Sequence, residues 1–387
     1  MTGDALSARS KVSVGNLAWS GLNAEADSTE RFPLMRALRR TVALAGATAL
    51  VALVASASPA TAATNDTLRS KQWGLTQVRA EQAWSTSRGA GAVIAVVDTG
   101  VDLTHPDLAA KLVPGGTFVG CSGSASCGDG NWKGVDGVGQ DVDAHGTHVA
   151  GIAAAITNNE TGVAGVAPDA RIMPVKVLED GSGNTADIAN GIRWSADHGA
   201  DVINLSLGSL PGTQVLSIAG LDTEIEQAID YARTKGALSV IAAGNTSTIA
   251  CTSPGFSSTG LCVGSTDKNE LHSAFSELPI KPDLKVVSAP GGFGFGGCDD
   301  DVWSTVPTGA ASGCGVGGYD AFAGTSMATP HVAGVAALLL AQGRTVAQAE
   351  KALTTTARTP VLGMRGTFTP LYGYGVVDAQ AAVASAR

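Results

Sequence analysis

From Ala92 onward the chain alternates short apolar runs with segments long enough to be helices, and that alternation leaves few folds open. The runs Ala92–Val97, Arg171–Val177, Val202–Leu205, Leu238–Ala243, Cys262–Gly264 and Val286–Ser288 read as strands. Their near-continuous hydrophobicity suits a parallel sheet covered on both faces. Between them Thr147–Ala155, Asp187–Ala196 and Asp222–Thr234 carry apolar or small residues at helical spacing. Ser326–Ala341 is nearly all apolar and is expected to be a buried helix, with Val346–Thr355 and Asp378–Ala384 closing the domain. The predicted fold class is therefore α/β, three layers (α/β/α) around a mainly parallel, twisted sheet in a single domain. Aromatic residues are only 5% of the chain, so its core must be built from Ala, Val, Ile and Leu.

The N-terminal region has a different pattern. Met35 to Arg40 is a basic cluster, Thr41 to Ala55 is apolar, and Ala60-Thr61-Ala62 has the small-x-small form that signal peptidase cuts. Residues 35–62 are read as a signal peptide, which makes the protein secreted and leaves Ala63 as the first mature residue. A membrane anchor is the rival reading, but the apolar run is shorter than the roughly 20 residues a spanning helix needs. Residues 1–34 show no sustained period and are read as an extension ahead of the true start at Met35. Residues 63–387 then form one domain, expected to be monomeric and free of the membrane after cleavage.

A formal charge of −9 argues against nucleic acid or an anionic membrane as partner, because neutralising phosphates needs a basic face. The six cysteines, Cys121, Cys127, Cys251, Cys262, Cys298 and Cys314, all follow the leader. An even count in an exported chain points to disulfides, here expected between nearest neighbours: 121 with 127, 251 with 262, 298 with 314. The competing reading, a zinc site, lacks any C-x-x-C pair.

Three segments put reactive side chains where a parallel sheet gathers its ligands. Asp98 ends an apolar strand, and by itself is as readily a turn residue or helix cap. His145 opens a small-residue helix whose dipole disfavours the imidazolium, so a neutral base is feasible if an aspartate supports it. His145 and His148 do not have the H-E-x-x-H spacing of a metal pair. Ser326 opens the buried helix. In a purely structural reading Ser326 is its N-cap and Pro330 a first-turn proline, and in a chemical reading Ser326 is a hydroxyl that a base can activate.

Each segment alone is ambiguous. Together, the strings DTGVDLTHPDL, HGTHVAG, AAGN and GTSMATPHVAG, in that order from about Asn65 to the C-terminus, resemble the subtilase family of serine peptidases, and within it the thermitase-like branch. The resemblance implies a subtilisin-like domain and a serine endopeptidase acting on polypeptides with broad specificity. Asp98, His145 and Ser326 match the family's catalytic positions, and His148 and His331 match structural ones. Asn245 matches the amide that donates to the oxyanion. Ser206, Leu207 and Gly208 resemble the edge that pairs with substrate, and Ala242, Ala243 and Gly244 the opposite wall, with the pocket floor near Thr252–Pro254. The stretch Ile156–Val163 resembles a calcium loop. The resemblance implies ligands from the carbonyls of Ile156, Thr161 and Val163, the Asn159 side chain, and the carboxylates of Asp66 and Asp107, all hard oxygens.

Two departures stand out. Asn65-Asp66 already resembles the mature N-terminus, so no inhibitory propeptide is expected between leader and enzyme. Ala144 stands where the family often has Gly. Three functions compete with a broad endopeptidase. A sedolisin would carry Glu in place of His145 and Asp in place of Asn245, which disfavours it. A dedicated maturation protease and an inactive peptide-binding scaffold complete the set.

Overall fold

In the computed structural model, residues 64–387 are described apart from 125–126, 129–138, 209–223, 257, 296 and 311–312. The leader at 35–62, the extension at 1–34 and Asp222 lie outside the described residues. Strand β1 (Val93–Asp98) starts the sheet at its centre. Along it Ile94 and Val96 join one buried cluster while Ala95 and Val97 join another, the period of two that places alternate side chains on opposite faces. Strands β2 (Gly116–Thr117), β3 (Arg171–Lys176), β4 (Val202–Leu205), β5 (Leu238–Ala242), β6 (Leu261–Thr266) and β7 (Val286–Pro290) complete seven parallel strands in the order β2-β3-β1-β4-β5-β6-β7.

Helices cover both faces, as expected. Helices α1 (Trp73–Gln77), α2 (Ala80–Ala83) and α3 (His145–Ala154) contribute to one core. Helix α4 (Thr185–Asp197) and helix α5 (Glu224–Thr234) pack in the other. The remaining helices, α6 (Thr325–Leu340), α7 (Val346–Thr356) and α8 (Ala379–Ala384), return to the first. In α6 every residue from Met327 to Leu339 is buried, and its Val332, Val335, Leu338 and Leu339 are 0% exposed. Side chains of this size contribute ~1.5–3 kcal/mol each on burial, which fixes the helix firmly against the sheet. The six cysteines form the three nearest-neighbour disulfides expected.

The differences from expectation are local. Pro330 is the sixth residue of α6, not a first-turn proline, and Gly324 rather than Ser326 is the N-cap, because the helix begins at Thr325. Helix α3 begins two residues early, at His145. Helices α1 and α2, the two-residue β2, and an antiparallel pair formed by β8 (Val302–Thr305) and β9 (Tyr319–Phe322) had no sequence period long enough to show.

Helix α6 also packs closely through Gly334. A Cβ built there would lie 2.5 Å from the Cβ of Val166. Alanine is the better helix former by ~1 kcal/mol, yet Gly334→Ala is expected to destabilise by about 1–3 kcal/mol through overpacking. Scanning calorimetry should show a lower midpoint; an unchanged or higher one would refute the tight α6–Val166 contact.

Candidate active site

The strand order reverses at β1: the chain runs out to the edge strand β2, comes back to β3 beside β1, and then crosses to β1's other side with β4. Beyond the carboxyl ends of the strands at such a reversal a ligand site is expected, and a cleft of about 930 Å³ opens there.

Asp98 ends β1 at 0% exposure, and His145 stands above it at the first position of α3. Two devices bring them together. Gly146 lets the helix approach, since a Cβ there would meet the Gly100 carbonyl oxygen at 2.1 Å. Asp141 anchors the helix start: one of its carboxylate oxygens accepts from the Asp143 and Ala144 amides, the other from the Thr147 amide and hydroxyl. Ala144 itself is left-handed, φ 75°, which gives the family's preference for Gly there a backbone cause.

His145 Nδ1 lies 2.7 Å from Asp98 Oδ1, which also accepts from the Thr99 amide. An ionised carboxylate can only accept, so Nδ1 carries a proton, and in the neutral ring Nε2 is the bare nitrogen. Burial alone would lower the His145 pKa. The Asp98 carboxylate, by charge and hydrogen bond, with Asp141 and Asp143 beyond it, more than offsets this and holds it above the ordinary histidine value. His148 and His331 are pushed down by burial, to about 3 and about 4, and so stay neutral. They lie next to the backbone carbonyls of Asp320 and Met327, consistent with structural positions.

Ser326 is the second residue of α6 and lines the same cleft as His145. Its hydroxyl donates to the Ser206 carbonyl at 3.2 Å rather than to His145; such bonds often form only with substrate bound. The proline in α6 has a use here. Lacking an N–H, Pro330 leaves the Ser326 carbonyl without its helical donor. The Ser206 hydroxyl donates to that carbonyl at 2.8 Å, and is itself held by the fully buried Asn204 amide at 2.9 Å.

Asn245 follows β5. Its Oδ1 accepts from the Thr325 amide and hydroxyl at 2.8 and 3.0 Å, which turns Nδ2 away from them. Gly324 keeps the adjoining space open, because a Cβ there would lie 3.5 Å from Asn245 Nδ2 and 3.6 Å from the Ser326 amide nitrogen. Two donors thus flank one small hollow, the arrangement that stabilises a developing oxyanion. Ser206, Leu207, Gly208, Ala242 and Gly244 line the cleft, as does Thr252. Ala243 does not: it is buried against Cys251, Cys262 and Val286.

The residues expected around a cation also converge. Asp66 accepts from the Asn158 and Asn159 amides. Asp107 accepts from the Asn159 side-chain amide at 2.6 Å, from the Val163 amide and from Tyr319. Both carboxylates are buried, at 4% and 0% exposure, and among the described residues neither pairs with Lys or Arg. Burial raises the Asp107 pKa. Ile156 and Thr161 belong to the same loop, but among the described residues no group of three or more His, Cys, Asp or Glu side chains could hold a metal.

Comparison with known proteins shows the family of the chain. The Subtilase family model matches residues 89–375. The chain is 43% identical over 289 residues to Thermitase of Thermoactinomyces vulgaris, covering 74% of this chain and 88% of that protein. It is 34% identical over 359 residues to an Extracellular protease of Xanthomonas campestris, covering 84% of this chain but only 58% of that longer protein. Among solved structures, a protease from Pseudoalteromonas arctica superposes with TM-score 0.68 at 34% identity, covering 84% of this chain and 99% of that one.

Glu277 escaped sequence reasoning, because no motif surrounds it. It is 0% exposed and lines the cleft. Its carboxylate accepts from the Thr246 amide and hydroxyl and the Thr248 amide, and its own amide donates to Gly244, so it grips both sides of Asn245. Glu277→Ala would leave those donors unsatisfied at ~1–3 kcal/mol each. Exchange of the Thr246 and Thr248 amides, read by hydrogen-exchange mass spectrometry, should quicken on the order of tenfold or more. Glu277→Gln, which keeps an acceptor, should quicken it less, and equal exchange in all three proteins would remove Glu277 from this role.

Proposed function

The chain belongs to the Subtilase family of serine endopeptidases, and from that premise we propose that Ser326 is its nucleophile, His145 its general base and Asp98 the group that orients the base. What supports this most is the 2.7 Å contact of Asp98 with His145 in a cleft that Ser326 shares. His145 Nε2 takes the proton as Ser326 Oγ attacks the substrate carbonyl carbon. The Asn245 side-chain amide and the Ser326 backbone N–H hold the oxyanion. The protonated His145 then gives its proton to the departing amine, and water repeats the sequence on the acyl-enzyme. An extended polypeptide lying between Ser206–Gly208 and the wall at Ala242–Gly244 would be held mainly by backbone bonds, which fits broad specificity. Ala243 would serve that wall from behind.

We further propose a secreted, monomeric enzyme with one peptidase domain at 63–387 and a cleaved leader at 35–62. The extracellular relative supports this reading. So does the fact that no helix among the described residues is long and apolar enough to cross a membrane.

Fluorophosphonate labelling tests the nucleophile. The protein should label, Ser326→Ala should not, and a folded but unlabelled wild type would sink the assignment. Because the base must be neutral and its pKa is raised, the acid limb of kcat/KM should lie above pH 6.5. In Asp98→Asn that limb should move down while kcat falls about 10⁴-fold.

Calcium is the cofactor we propose. Two buried carboxylates, without a cationic partner among the described residues, hold the loop at 156–163 through its amides, and with that loop's own carbonyls they make up the kind of hard-oxygen set that suits this ion. Asp66, Asp107, the Asn159 side chain and the carbonyls of Ile156, Thr161 and Val163 would hold it. When bound, it supplies positive charge that offsets the burial of the two carboxylates. EDTA should lower the melting temperature by on the order of 5–10 °C, and Asp107→Asn should abolish that sensitivity. A midpoint indifferent to EDTA would remove the site.

A further inference from the structure

We propose that the loop Gly291–Phe295 is an apolar shelf for a hydrophobic substrate side chain one or two residues beyond the cut bond, on the leaving-group side. This rests on the peptidase reading above. Exposed apolar side chains that touch one another mark interaction sites more often than those scattered singly. Here Phe295 is 77% and Phe293 41% exposed, their rings edge to face with centroids 6.2 Å apart.

The loop is mounted firmly. Asp301 Oδ1 accepts from the Phe293 and Gly294 amides at 3.0 and 2.9 Å. The Ser273 hydroxyl donates to the Gly292 carbonyl at 2.7 Å. Two exposed rings on a braced backbone lose little conformational entropy when a ligand covers them, which favours their use as a binding surface.

The loop is also tied to the nucleophile. The Gly324 amide, two residues before Ser326, donates to the Gly291 carbonyl at 2.8 Å. A Cβ at Gly294 would meet the Phe275 ring at 3.0 Å and the Ala323 Cβ at 3.8 Å, so the loop lies over those two residues. The acyl side of the substrate has its place in the cleft walled by Ser206–Gly208 and Ala242–Gly244, and no residue of Gly291–Phe295 lines that cleft. Because the loop adjoins Gly324 but is not part of that lining, we assign to it the course of a peptide that continues past Ser326 on the leaving-group side. At about 3.3 Å per extended residue, its first or second side chain beyond the cut comes within reach of an aromatic ring. The shelf carries no charge of its own, so it should favour Leu, Ile, Met or Phe over Asp, Glu or Gly.

The test uses internally quenched peptides that share one acyl-side sequence and carry either Leu-Phe or Gly-Asp after the cut, with rates normalised to active sites titrated by a fluorophosphonate. Wild type should prefer the apolar peptide in kcat/KM by roughly 3- to 10-fold, and Phe295→Ser and Phe293→Ser should each lose most of that preference. Val361→Ser alters a side chain that is 96% exposed in another loop and should keep the wild-type ratio. A wild type without the preference, or a Phe295→Ser variant that keeps it, overturns the shelf. So does a concentration-dependent dimer that Phe295→Ser dissolves without changing the ratio, since the occupant would then be a second copy. An unlabelled wild type instead brings down the Ser326 assignment itself, which separates the two failures.

Discussion

The site depends on how closely helix α3 can lie against the end of β1. With the Gly100 carbonyl 2.1 Å from where a Cβ of residue 146 would sit, any side chain there would lift His145 from Asp98. The Asp98 carboxylate is wholly buried, and among the described residues its hydrogen bonds come from the Thr99 amide and the His145 ring, so the imidazole is a main source of compensation for its charge. Lifting the helix would therefore strand a charge as well as misplace a base. Asp141 works against this from the other side, holding the start of the helix by four hydrogen bonds to one carboxylate. The second helix of the site, α6, is immobilised by other means, because nearly its whole circumference is covered.

Much of this was legible in the sequence. Six of the seven sheet strands and six of the helices fell where apolar runs and helical spacing placed them, since burial on both faces leaves a plain signal. What went unseen were elements too short to have a period, such as Gly116–Thr117. Asp98, His145, Asn245 and Ser326 were readable only as a set; singly, Asp98 was as readily a turn residue, Ser326 a helix cap and His145 a residue that opens a helix. The groups that position them were not readable at all. Glu277 acts on backbone amides of another segment, Asp141 joins the Thr99 hydroxyl to the start of α3, Thr325 turns the Asn245 amide, and Pro330 acts through the bond it cannot make. Such roles depend on distances between remote segments, which composition and spacing do not encode.

The disulfides are local. They close loops of 6, 11 and 16 residues, each of which a cross-link of this span stabilises by about 3 kcal/mol at most in the chain-entropy view. Cys251–Cys262 joins the segment behind the cleft to β6, and Cys298–Cys314 bridges the stretch that flanks β8. Each restrains a local loop, while the large interior cores on the two faces of the sheet hold the layers together.

The proline at 330 has a consequence for how such a molecule can change. Its missing N–H hands the Ser326 carbonyl to Ser206, and Ser206 begins a segment that lines the cleft. Grip and reactivity therefore share one joint. A substitution that shifts the 206–208 segment to suit a different peptide also pulls on Ser326, the proposed nucleophile. Drift toward new selectivity in this scaffold should be easier through the cleft's other wall and its outer loops than through this one.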